Sequence, residues 1–272
     1  MEPIKEYTIK APGKFQLNLS ELKQYHELLY FFTWRDIKIK YKQTALGFLW
    51  AVLQPLLIAG ILAFVLGNRN SGFINNFLPF YAGVMVWNIF ASGINNAGNS
   101  MVSNANIIKK IYFPRLLLPL SSLAGTLFDF TMSIPILVAV CMLSPTEINI
   151  AQVLCTFPMA VITMLYAATG PALLLSALNV KYRDFRYVIP FLLQLLLFAS
   201  PLFIKTINIP THLKPILNIN PAALGIQWAQ AGFGGELPSS MELISGYCTY
   251  ALFLIIGIYY FKKTEHNFAD LA

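Results

Sequence analysis

The chain has 272 residues, of which 57% are hydrophobic and only 11% charged, and its mean hydropathy is +0.61. A soluble domain carries roughly a quarter charged residues, so this composition excludes an ordinary water-facing surface and points to one that faces lipid. The net charge of +7 would suggest nucleic acid in a soluble protein, but here the placement of the charges assigns them to topology and anionic lipid.

The first forty-odd residues are polar and charged, with no apolar core ahead of a small-residue cleavage site, so no cleavable signal peptide is expected. Residues 1–44 read as a cytoplasmic arm. Ser20 is a candidate N-cap, and Leu22, Tyr25, Leu29 and Phe32 follow it at helical spacing. In WRDIKIKYKQT, Ile37, Ile39 and Tyr41 alternate with Lys38, Lys40 and Lys42. That pattern is strand-like, but a lone strand has no partner at a membrane surface. The preferred reading is a basic amphipathic helix lying in the cytoplasmic interface, with Trp34 as its anchor.

Six apolar segments follow, each near the roughly 20 residues a helix needs to cross about 30 Å of hydrocarbon. They are Ala45 to Leu66, Phe77 to Ala97, Leu116 to Leu143, Ala151 to Leu178, Val188 to Ile204 and Ile244 to Phe261. Lys and Arg number 16 in the arm, the second and fourth loops and the tail, against 3 in the other three loops. This alternation predicts an all-α membrane protein with six transmembrane helices over 45–261, cytoplasmic N and C termini, and a tail at 262–272. The fifth segment is short and holds Pro190 and Pro201. The fourth holds Pro158 and a Gly170-Pro171 pair that predicts a break. Between the fifth and sixth, 205–243 is semi-apolar and interrupted by Pro210, Pro215 and Pro221. It predicts one or two short helices, starting near Thr211 and near Pro221, that dip into the outer leaflet, with an exposed loop as the alternative.

Catalytic signatures are missing. His26, His212 and His266 lie outside the spans and form no ligand spacing, so no metal is expected. Cys141, Cys155 and Cys248 lie in apolar segments and read as packing residues. Gly13-Lys14 lacks the upstream glycine of a phosphate-binding loop. The chain is not expected to be an enzyme, and any ATP hydrolysis would belong to another polypeptide. Asp129 is the one carboxylate well inside a span. An intramembrane acid is a functional candidate by default, with a structural bond to Ser133 or a neighbouring helix as the alternative. Asn88, Ser92, Asn95, Asn96, Asn99 and Ser100 make the second span polar, so that face must meet protein or water.

Five separated segments resemble one family: WRDIKIKYKQTALGFLWAVLQPLL, LPFYAGVMVWNIF, NIIKKIYFPRLLLPLSSL, NVKYRDFRYVIPFLLQLLLFASPLF and LNINPAALGIQWAQ. In order and spacing, from about Arg35 to Phe261, they are similar to polysaccharide-export ABC transporter permeases, the type-2 exporter group for O-antigen, capsule and teichoic acid. The resemblance implies a homodimer in the bacterial inner membrane with two copies of an ABC ATPase subunit, which binds the ATP and Mg; no cofactor is expected in this chain. It implies export of an undecaprenyl-diphosphate-linked polysaccharide, with O-antigen favoured. It places Ile107, Lys109, Lys110, Tyr112 and Arg115 in an ATPase-coupling loop, and gate helices within 205–243. Arg35, Lys38, Lys42 and Arg183 are candidates for the diphosphate, and equally for ordinary inward-facing charge. Trp87, Phe90, Phe198 and Phe203 are candidate channel aromatics, with core packing as the alternative. Competing readings are a drug or small-lipid exporter of the same fold, a proton-coupled flippase centred on Asp129, and a membrane glycan-modifying enzyme.

Overall fold

The computed structural model describes residues 24–42, 47–67, 72–144, 148–204, 217, 219–265 and 268. Among these the regular structure is all α-helix: α1 (His26–Tyr41), α2 (Leu49–Leu66), α3 (Phe73–Ser103), α4 (Ala105–Lys110), α5 (Leu117–Leu143), α6 (Ile150–Lys181), α7 (Phe185–Phe198), α8 (Ala223–Ala231) and α9 (Ser240–Glu265). Five of them, α2, α3, α5, α6 and α9, are long and apolar enough to cross a membrane. The chain is a multi-pass membrane protein.

Helix α3 is the axis of the bundle. Of its most apolar window 72% is buried, against 28% or less for the other four long helices, and α2, α5, α6, α7 and α8 all pack on it. Its apolar face fills the main core through Tyr81, Val84, Met85 and Ile89, while most of its polar residues stay half-buried. The ends sort consistently. Phe32 of α1 stacks on Phe113, Arg115 reaches the carbonyl of Glu265 at the end of α9, and Asn179 near the end of α6 donates to Gly98 O near the end of α3. Lys109, Lys110, Arg115, Lys181, Lys262 and Lys263 consequently lie at one end, called here the basic end. The alternation of basic segments along the chain becomes a single basic face.

Three elements depart from expectation. The proposed break at Gly170-Pro171 is absent: α6 is one 32-residue helix through both Pro158 and Pro171. Gly170 serves instead as a contact. A Cβ on Gly257 of α9 would sit 2.3 Å from Gly170 O, and one on Gly170 would sit 2.5 Å from Leu254 N. The two backbones touch, the arrangement by which membrane helices gain packing without a hydrophobic drive. The fifth segment forms only the 14-residue α7, ending at Phe198 rather than Ile204. At about 1.5 Å per residue it falls short of a full crossing. Ser200 and Leu202 then turn in hydrogen bonds to Leu197 O and Ser200 Oγ. The interface helix does not lie apart from the bundle. Thr33 meets Ser121 and Tyr41 meets Asp129, a constant offset of 88 residues, so α1 runs parallel to the first half of α5. Helix α2 continues along the second half, where Ser133 Oγ donates to Ala51 O at 3.2 Å.

The short helix expected near Pro221 is present as α8, and nearly all of it is buried among α3, α6 and α9. The one expected near Thr211 lies outside the described residues. Asn220 joins α8 to α7. Its amide donates to Leu196 O at 2.7 Å and Ala199 O at 3.1 Å, while its Oδ1 accepts from Ala222 N at 3.0 Å. Helix ends buried away from water need such partners.

Gly257→Val is expected to push α9 off α6 and cost about 1–3 kcal/mol, the usual penalty for overpacking, seen as a lower melting temperature in detergent. Ala at half-buried Gly60, where an added Cβ would meet nothing within 4 Å, serves as the neutral control.

Candidate functional site

The polar residues of α3 recur at near-helical spacing, so Asn88, Ser92, Asn96, Asn99 and Ser103 lie on one side of the helix. Opposite them stand α1 and α5. Between the three helices are two adjoining cavities. The outer one, about 650 Å³, is lined by Asn96, Asn99, Ser103 and Asn106 with Arg35 and Asp36. The inner one, about 220 Å³, is lined by Asn88, Ser92, Gln54 and Ser133. Lys40 and Asp129 line both. Together they make one hydrophilic cleft that begins beside α4 and runs to the middle of α5.

Asp129 closes the cleft against α1. Lys40 Nζ and Tyr41 Oη both donate to its carboxylate. Burial, and then the adjacent carboxylate, push the Tyr41 phenol well above its ordinary range, so it stays a donor. Ser133, expected as a partner, instead bonds the backbone carbonyl of Asp129 at 3.2 Å. An acid in an apolar helix requires a cation or several donors. The cation comes from α1, not from another span.

Four cations were candidates for a diphosphate. Only Arg35 lines the cleft, where it forks onto Asp36 at 2.7 and 3.0 Å and lies 5.0 Å over the Phe32 ring. Lys38 is 5.4 Å over the Trp34 ring, one turn away on the same helix. Lys42 is exposed at the end of α1, and Arg183 is exposed in the turn between α6 and α7. Lys40 was not singled out in sequence. The helical phase that turns Thr33 to Ser121 brings Lys40 and Tyr41 to the same side, and that phase was the available signal. Of the four aromatics, Trp87 and Phe90 are buried in the core, with ring centroids 5.6 Å apart. Phe198 is exposed and packs at 4.9 Å on half-buried Phe203 at the far end of α7.

Helix α4 follows α3 with only Asn104 between them. Asn104 donates to Ser100 O at 2.8 Å and accepts from Ile107 N at 3.0 Å, so the two helices form a continuous bonded corner. Ile108 is buried against Phe113 and Phe32, and Ile107 also faces the cleft. Lys109, Lys110, Ile111 and Tyr112 are exposed. Arg115 is not presented outward with them. It bonds Glu265 O and lies 5.9 Å from the Phe268 ring, fixing the end of α9. The corner thus offers a basic and aromatic surface outside and the cleft inside. Among the described residues no group of His, Cys, Asp and Glu is arranged to hold a metal ion.

The model of the ABC-2 type transporter matches residues 27–233, from α1 through α8. The chain belongs to this family. It is 30% identical over 261 residues to an O-antigen export system permease protein RfbA of Klebsiella pneumoniae, covering 95% of this chain and 98% of the relative. It is 27% identical over 257 residues to the O-antigen export system permease protein RfbA of Myxococcus xanthus, covering 92% and 97%. The family's members are transport subunits, which agrees with the lack of a catalytic cluster in the sequence.

Arg115→Ala is expected to free the last turn of α9 while leaving the rest of the bundle intact. Amide exchange at 258–265 should rise several-fold, with the exchange of α3 unchanged.

Proposed function

We propose that this chain is the membrane subunit of an ATP-driven exporter that moves a polysaccharide, carried on a lipid diphosphate, from the cytoplasm to the far side of the bacterial inner membrane. The observation that carries the reading is the corner at Asn104. It joins an outward-facing basic surface to a polar cleft on the same rigid helix pair, so a push on one is felt in the other. The names of the relatives make O-antigen the preferred polymer.

In this reading the basic end of the bundle faces the cytoplasm. The six crossings are α2, α3, α5, α6, α7 with the turn after it, and α9, and both chain ends are cytoplasmic. Two copies of the permease pair, each bound by one ABC ATPase subunit at Lys109, Lys110 and Tyr112, with Ile107 behind them. Closure of the ATPases on ATP and Mg drives α4. Because α4 and α3 share a bonded corner, α3 swings as a rigid body against the partner copy. The cleft receives the diphosphate head, with Arg35 and Lys40 as its cations and the α3 amides as neutral donors. Helix α8, buried near the far end of the bundle, acts as the gate, and Phe198 lies on the polymer's route. Asp129 ties α1 to α5 through Lys40 and Tyr41, which favours a structural tie over a proton relay.

The test is reconstitution of the chain in vesicles with the ABC ATPase encoded beside it and lipid-linked glycan. Glycan is expected in the far compartment only with ATP. Lys109→Glu with Lys110→Glu should cut export at least tenfold while ATPase activity persists, because the two machines no longer engage. Transport driven by a proton gradient and indifferent to ATP would sink the reading.

A further inference from the structure

Among the described residues, the two cations that line the cleft are paired with carboxylates of this chain: Arg35 with Asp36, and Lys40 with Asp129. These four charges cancel, so the described walls of the cleft present amides and hydroxyls without net charge. The pairs differ in what they join. Arg35 and Asp36 are neighbours on α1. Lys40 and Asp129 are 89 residues apart and tie α1 to α5, with Tyr41 as a second strap on the same carboxylate. The Lys40 side chain is 47% exposed and that of Asp129 only 18%. The ammonium is thus open to the cleft, with the carboxylate behind it.

We propose that Asp129 is a positioning residue that acts through Lys40: it holds the ammonium at the cleft wall and competes with the substrate's phosphate for it. This rests on the reading that the cleft receives a lipid diphosphate. An ammonium carries three donors but one charge, and a phosphate oxygen that takes it weakens its hold on Asp129. With Lys40 drawn to the ligand, the inner end of α1 is fastened to α5 by Tyr41 alone. The outer end of α1 packs on Phe113, directly after the coupling element. An empty cleft therefore keeps α1 strapped to α5, and a filled cleft loosens it. Loading is reported to the basic end through α1.

The experiment uses the full chain in phosphatidylcholine nanodiscs, with farnesyl diphosphate as the probe. Asp129→Asn is expected to tighten probe binding about tenfold, as removal of one charged competitor would do. Lys40→Met should weaken it by a similar factor, and adding Asp129→Asn to Lys40→Met should then change nothing, because the competitor acts only through that ammonium. Asp129→Glu should restore the wild-type affinity. A merely structural acid gives the opposite sign: losing it disorders α1 and weakens binding. If Asp129→Asn binds equally or more weakly while Lys40→Met loses affinity, the inference falls and the cleft stands. If Lys40→Met and Arg35→Gln both leave binding unchanged, the cleft is not the site and the reading beneath falls first. Should Asp129→Asn not fold, amide exchange of the wild type decides. Exchange over 33–41 should rise when the probe is added, and added protection there overturns the proposal.

Discussion

A carboxylate inside a membrane helix is tolerated only if other groups share its charge, and Asp129 draws that help from outside the spans. The need for a cation and a phenol at that depth dictates where α1 goes. Lys40 and Tyr41 can both reach Asp129 only if α1 runs beside α5 in parallel. That placement fixes the rest of the architecture at the basic end. It sets the start of α2 near the middle of α5, leaves a gap between α1 and the polar side of α3, and brings Phe32 onto Phe113 just beyond α4.

The gap survives because its walls are polar. A dry apolar space would collapse onto well-packed neighbours, whereas Asn and Ser side chains on α3 hold a surface that water or a polar ligand can wet. The same helix is otherwise the most buried of the five long helices. It therefore serves as both the rigid axis and one wall of the site. Its bonded corner with α4 makes the exposed basic surface an extension of the cleft rather than a separate module.

At the other end the constraint is backbone rather than charge. Helices α7 and α8 are too short to cross, and their exposed peptide groups must be met within the protein. Asn220 meets both helices with one side chain, accepting at the start of α8 and donating at the end of α7. Burial of α8 on three sides does the rest. A helix held by packing rather than by its own length is the kind of element that can shift as a unit, which is why it is proposed as the gate.

The amino-acid sequence by itself determined the number of apolar segments, the basic end of each, the polar side of α3, the outward cluster at Lys109 and Lys110, and a short helix after Pro221. These are local properties: hydropathy, charge and turn chemistry are carried by residues close together in the chain. Five recognisable segments likewise gave the family away before any geometry was known. Only the tertiary structure decided that Lys40, rather than Lys38 or Lys42, meets Asp129, because the choice depends on the phase of α1 against a helix 88 residues away. It decided that Gly170-Pro171 is a contact with Gly257 and not a break, since a glycine reads alike as flexible or as close-packed until its neighbour is known. It placed Trp87 and Phe90 in the core and Phe198 outside it. A ring's hydrophobicity says that it will be buried by something, and the packing of the whole bundle says by what.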